Sequence, residues 1–149
     1  MKPVQFEGIE RLTLSHLPTP LEYAPRLTQQ LRGPQIWIKR DDLTGLALGG
    51  NKSRKLDFFM TEALRKDSDC IVTMGPLQSN HVRLTAAASR ACGLDCYAIL
   101  LGDFRQSSKG NLLLDQILGL NCIFVSGSMD SVPPDLIDQK IQETVNELK

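Results

Sequence analysis

From Asn51 onward, apolar runs of strand length alternate with segments whose apolar residues recur at helical spacing. This is the pattern of βαβ units wound around a parallel sheet. Leu56, Phe59, Met60, Ala63 and Leu64 fall three or four residues apart, so the spacing predicts a helix over 52–66 with one buried face. Cys70-Ile71-Val72-Thr73-Met74 follows without polar alternation, as in a strand covered on both faces, and Gly75-Pro76 ends it. From Ser79 to Ala91, helical spacing returns through Leu84, Ala87, Ala88 and Ala91, whose small side chains allow close packing on a sheet. A second buried strand is predicted over 96–101, a short helix over 111–118 and a third strand over 121–125. A last helix over 133–148 carries Ile137, Ile141, Val145 and Leu148 on one side, with Pro133 and Pro134 suited to its first turn.

Residues 1–50 behave differently. Pro3, Pro18, Pro20, Pro25 and Pro34 lie there, out of eight prolines in all, and the single strand-like run is Ile36 to Lys39. The pattern predicts an irregular segment that wraps something other than the unit at 51–149. The expected fold class is therefore α/β, a parallel sheet with flanking helices in the Rossmann-like style, preceded by that segment.

Composition narrows the function classes. With 42% hydrophobic and 23% charged residues the chain is ordinary globular material, and 149 residues hold one domain but hardly two. Seventeen basic residues balance seventeen acidic ones, which removes any whole-molecule attraction to nucleic acid or an anionic membrane and makes an anion site a local matter. No apolar run has the length of a bilayer span, and Met1-Lys2-Pro3 leads into polar sequence, so a cytoplasmic location is expected. Cys70, Cys92, Cys96 and Cys122 lack paired spacing, and His16 and His81 add no metal-ligand pattern. Buried reduced thiols and no metal are expected.

The chemistry concentrates in two stretches. In Leu48-Gly49-Gly50-Asn51-Lys52-Ser53-Arg54-Lys55, two glycines deliver the chain into a helix whose first turn carries three cations. A helix start is already partly positive, so this crowding is unfavourable unless an anion binds or one lysine stays neutral. A lysine among positive charges has a depressed pKa and attacks an aldehyde more readily; the plainer alternative is a set of solvated cations after a turn. Gly45 and Gly50 have the separation of a nucleotide-binding P-loop, but Asn51 stands where its lysine must be. The second stretch, Gly75-Pro76-Leu77-Gln78-Ser79-Asn80-His81, leaves the carboxyl end of a strand and opens a helix. Such loops line the binding crevice of open parallel sheets, and the helix amides can hold a carboxylate. Ser79 reads equally as an N-cap, and His81 as a general base or as a residue that orients the loop.

Gly-Gly-Asn-Lys-Ser-Arg-Lys-Leu at 49–56 followed by Gln-Ser-Asn-His-Val-Arg at 78–83 resembles the D-cysteine desulfhydrase and 1-aminocyclopropane-1-carboxylate (ACC) deaminase family of fold-type II pyridoxal-phosphate enzymes. Pro18-Thr19-Pro20-Leu21-Glu22, Ile38-Lys39-Arg40-Asp41-Asp42 and Gly110-Asn111-Leu112-Leu113-Leu114-Asp115 extend the likeness over about Leu17 to Leu120. The resemblance implies that residues 1–50 belong to the larger cofactor domain, here incomplete, and 51–149 to the small α/β domain. It implies pyridoxal 5'-phosphate as cofactor, Lys52 as its Schiff-base lysine and general base, Lys55 at the phosphate, and Asn80 at the cofactor's ring oxygen. Gln78, Ser79, Asn80 and His81 would meet the substrate, with Ser79 catalytic and near its carboxylate.

The implied reaction is elimination from a small amino acid: D-cysteine to pyruvate, ammonia and sulfide, or the ACC deaminase or cysteate sulfo-lyase variants. Family members are about twice as long, a two-domain size, and are expected to be homodimers. The chain is thus expected to be an amino-terminal portion that needs a complementary carboxyl-terminal half. A catalytically silent fragment or interaction module is the alternative. Ser126-Gly127-Ser128 comes too early to be the family's phosphate loop and reads as a turn.

Overall fold

The computed structural model describes residues 8–103 and 109–148; Met1-Lys2-Pro3 lies outside them. Three parallel strands form the sheet, β3 (Cys70–Pro76), β4 (Asp95–Leu101) and β5 (Asn121–Val125), in that spatial order. The central strand is the apolar one: Cys96, Ala98, Ile99, Leu100 and Leu101 are all buried. Its side chains alternate between two layers, as the strand period requires. Cys96, Ala98 and Leu100 pack with Val82, Ala86, Leu112 and Leu120, while Ile99 and Leu101 pack with Val132, Ile137 and Ile141.

Helices α2 (Ser53–Arg65), α3 (Asn80–Ala91), α4 (Gly110–Ile117) and α5 (Pro134–Glu147) connect and cover the strands. Leu56 and Met60 of α2 meet Leu84 and Ala88 of α3. Every residue of α3 from Val82 to Ser89 is buried, which its alanines permit. All seven of these elements fall within two residues of the sequence reading, and the α/β class holds.

Several details differ. Cys70 to Met74 are half-buried, because β3 is a sheet edge, paired with β4 on one side and with no strand on the other among the described residues. On α2, Phe59 and Leu64 are exposed, since this helix packs mainly on α3 and buries a narrower stripe. Ala91 and Leu148 are exposed as well. All four cysteines are free, but only Cys96 is buried.

The amino-terminal segment is more regular than its sequence suggests. β1 (Leu21–Tyr23) pairs antiparallel with β2 (Trp37–Lys39), and α1 (Pro25–Leu31) connects them. Both strands are exposed throughout, and α1 buries no residue. Residues 12–15 instead dock on α2, where the buried Asp57 carboxylate accepts from the Leu14 and Ser15 amides at 3.1 and 3.2 Å. Among the described residues no helix is long and apolar enough to cross a membrane, and no cluster of His, Cys, Asp and Glu could hold a metal.

Candidate active site

Lys52 ends the glycine turn and starts α2. The turn needs glycine for two reasons. Gly49 has φ +73° and Gly50 φ +140°, conformations that side chains disfavour, and a Cβ on Gly49 would run into the Asp42 carbonyl. The fully buried Thr44 then locks the turn, its hydroxyl bonding the Gly50 carbonyl at 3.0 Å and lying 2.9 Å from the Gly50 amide, which also donates to the Asp41 carbonyl.

The cation cluster resolves into separate roles. Arg54 donates to both oxygens of Asp41, at 2.8 and 2.6 Å, and to the Thr19 hydroxyl at 2.8 Å, so an internal carboxylate neutralises it. The same bonds hold the Asp41 carboxyl below its ordinary range. Lys55 lies over the Phe59 ring at 5.6 Å. Among the described residues, Lys52 and Lys55 have no carboxylate partner. The P-loop alternative also fails structurally, because short 3-10 turns, and not a strand, precede the glycines.

The second loop meets the first across the start of α3. A Cβ built on Gly50 would stand 3.5 Å from Asn80 Nδ2 and 3.0 Å from Leu84 Cδ1, so the lysine turn lies directly against α3's first turns. His81 registers the charges of that turn: burial first, then Lys55 and Lys52, push its pKa down. The Thr85 hydroxyl donates to the His81 carbonyl at 2.8 Å, leaving its lone pairs for a ring Nδ1–H at 3.4 Å. That network assigns the proton to Nδ1 and leaves Nε2 as an acceptor. A cleft of about 210 Å³ runs beside His81 and Thr85 over Phe59, Met60, Ile71 and Val72.

Ser79 and Gln78 are more engaged than their sequence positions reveal. Ser79 is the N-cap of α3, its Oγ accepting from the Val82 amide at 3.3 Å. Gln78 turns toward α4: its side chain donates to the Lys109 carbonyl at 3.1 Å and accepts from the Asn111 amide at 2.9 Å, while Asn111 returns a bond to the Gln78 carbonyl at 2.7 Å. Lys52 and Lys55 thus act electrostatically on His81, the turn ahead of Lys52 lies against Asn80, Ser79 caps the same helix, and the Gln78 amide is already occupied. Asp41, Thr19 and Thr44, which shape the turn, carry no chemical signal that local sequence reading would pick out.

Two half-buried ammonium groups without carboxylate partners, an exposed amide side chain and the amino end of a twelve-residue helix form a donor set suited to an aldehyde that carries a phosphate. The cleft of about 210 Å³ is lined by His81 but by neither lysine nor Asn80, so it lies beside this donor set and not within it.

The family described as "Pyridoxal-phosphate dependent enzyme" matches residues 12–147. The D-cysteine desulfhydrase of Klebsiella pneumoniae (strain 342) is 52% identical over 109 residues, covering 70% of this chain and 33% of that protein. The D-cysteine desulfhydrase of Salmonella paratyphi B (strain ATCC BAA-1250 / SPB7) is 56% identical over 90 residues, covering 60% and 27%. A crystal structure of an ACC deaminase homologue superposes with a TM-score of 0.83 at 36% identity, covering 95% of this chain and 42% of that one. The chain thus spans about a third of the length of the curated relatives it matches.

Proposed function

The chain belongs to the pyridoxal-phosphate-dependent enzyme family, and on that premise we propose that it forms one wall of the active site of a lyase or deaminase acting on a small amino acid, D-cysteine first. The observation that carries this reading is the convergence of Lys52, Lys55 and His81, with both lysine charges acting on the imidazole. Pyridoxal phosphate, when bound, supplies an electron sink for the substrate's α-carbon.

The chain's own residues then have distinct tasks. Lys52 would hold the cofactor through Nζ and would serve as the base for the substrate's α-proton. Lys55 and the α3 amides would hold negative oxygens, and Asn80 would donate to the cofactor's ring oxygen. His81, kept neutral by burial and by the two cations, offers Nε2 as an acceptor instead of adding a third positive charge. Ser79 can donate its hydroxyl proton to a carboxylate while its lone pair caps α3. For D-cysteine with one water, the products are pyruvate, ammonia and hydrogen sulfide.

Residues 1–50 belong to a larger domain completed by further polypeptide, in a cytoplasmic homodimer. Supporting this, Leu21, Trp37 and Leu31 on β1, β2 and α1 are 59%, 52% and 61% exposed, an apolar surface that a folded protein ordinarily covers.

Pyridoxal phosphate added to the purified chain, alone and with a complementary carboxyl-terminal half, tests the reading. A visible absorption band that is lost in Lys52→Ala supports it, and sulfide from D-cysteine only with the complement completes it. No band in either mixture refutes cofactor binding; a band without turnover in the complemented mixture marks a silent binder. Because the solved neighbour is an ACC deaminase homologue, 2-oxobutyrate from 1-aminocyclopropane-1-carboxylate is assayed in parallel.

A further inference from the structure

Arg83 stands on α3, two residues beyond His81. It projects from the buried run of α3, is 9% exposed, and donates from Nη1 and Nη2 to two separate elements, while its buried Nε has no hydrogen-bond partner among the described residues. Nη2 donates to the Gly49 carbonyl at 2.7 Å, and Nη1 to Asn111 Oδ1 at 3.1 Å. Gly49 opens the turn that carries Lys52; Asn111 is the residue that also grips Gln78 through its backbone amide and its side chain. One guanidinium therefore ties the lysine turn, the helix that presents Asn80 and His81, and the start of α4.

The choice of arginine follows from this geometry. A buried cation is unfavourable unless it is hydrogen bonded, and an apolar side chain of similar size would fill the same space with no such penalty. A planar fork whose separate nitrogens reach two acceptors on different elements is what arginine offers and lysine does not. In this turn, where both glycines sit at positive φ, the Gly49 and Gly50 amides donate to the Leu46 and Asp41 carbonyls, whereas the Gly49 carbonyl accepts from Arg83.

We propose that Arg83 is a positioning residue for Lys52, clamping the Gly49–Gly50 turn to the first turns of α3 so that the lysine and the Asn80-His81 pair keep a fixed separation. The clamp itself is a property of the chain; its consequence for the cofactor rests on the function proposed above.

Amide hydrogen exchange on the full chain, in Arg83→Met and Arg83→Lys, reads the clamp directly, and pyridoxal phosphate titration reads its consequence. In Arg83→Met the Gly50 and Ser53 amides lose protection on the order of tenfold, the effect of one lost charge-assisted hydrogen bond, while Ala98 and Ile99 of β4 keep theirs. Arg83→Lys, which retains the charge and one donor, recovers part of the loss. Uniform loss of protection across 50–53 and β4 in both variants, or unchanged protection at Gly50, overturns the proposal. Wherever wild type develops the cofactor band, Arg83→Met is to weaken apparent affinity with the band still formed through Lys52; equal affinity overturns the link to Lys52. If wild type binds no cofactor, the proposed function fails and exchange alone decides the clamp.

Discussion

Arg54 closes a two-pronged ion pair on Asp41, Nη2 to Oδ1 at 2.6 Å and Nε to Oδ2 at 2.8 Å, and thereby removes one of three cations from the start of α2. The pair joins residues thirteen positions apart, across the glycine turn. It also leaves Lys52 and Lys55 as the cations available to a bound anion. Asp41→Asn frees the Arg54 charge and loosens the turn. Both partners are partly exposed, so the loss of stability in urea unfolding is about 1 kcal/mol and not the larger value of a buried pair. The lowered Asp41 pKa contributes stability above the ordinary carboxylate range that is lost as pH falls through the folded value. Asp41→Asn therefore converges on wild type in acid; a difference that persists there contradicts the assignment.

Gly49 and Gly93 share a positive φ, +73° and +74°, but not their surroundings. A Cβ on Gly93 meets nothing within 4 Å, whereas one on Gly49 strikes backbone at Asp42. Gly93→Ala should cost about 1 kcal/mol, the conformational penalty alone. Gly49→Ala adds a backbone collision, expected to cost a further ~1–3 kcal/mol, and displaces Lys52. Denaturant midpoints of the two variants check the order, and equal losses would mean that the turn yields freely.

The units of the α/β region were legible because each buries one face in the others. β5 spans 121–125 as its sequence predicts, and the ends of α2, α3, α4 and α5 shift by at most one residue. β1 and α1 were not legible: Leu21, Tyr23, Leu27 and Leu31 are exposed, so no inward face marks them. β3 read as covered on both sides because a periodic pattern records apolar character and not the number of neighbouring strands. For the site, Lys52, Lys55, Asn80 and His81 stood out in two short motifs that the fold brings together. The Gln78 bonds to Lys109 and Asn111 cross more than thirty residues, and no local pattern encodes them.

Cys96 lies near the start of the central strand β4 at 1% exposure, and burial pushes its thiol up to about 11, against a weaker lowering by the Ser89 side chain. A thiol needs both ionisation and access to react. In native protein at neutral pH, Cys96 should stay unmodified by an aromatic disulfide reagent and become labelled only after denaturation, as peptide mass mapping would record. Prompt labelling of Cys96 in folded protein would place it outside the core.

Asp115 is fully buried on α4, and neither of its oxygens has a hydrogen-bond partner among the described residues. Burial raises its carboxyl from 3.8 to about 6, with the Arg83 charge acting the other way. The folded protein thus binds this proton more tightly than the unfolded chain does. Between pH values near those two limits, folding takes up a proton, so stability falls as pH rises through the window and the full penalty is present above it. At ~1.4 kcal/mol per unit the penalty is about 3 kcal/mol. Asp115→Asn cannot ionise, so its stability relative to wild type should climb by about that amount from pH 4 to pH 7, whatever constant offset the substitution adds. His81, whose lowered pKa makes acid destabilising, contributes alike to both proteins and cancels in the difference. Urea unfolding of the pair at pH 4, 5, 6 and 7 gives the slope. A flat difference would mean that Asp115 titrates as a solvated carboxylate, and the burial assigned to it here would be wrong.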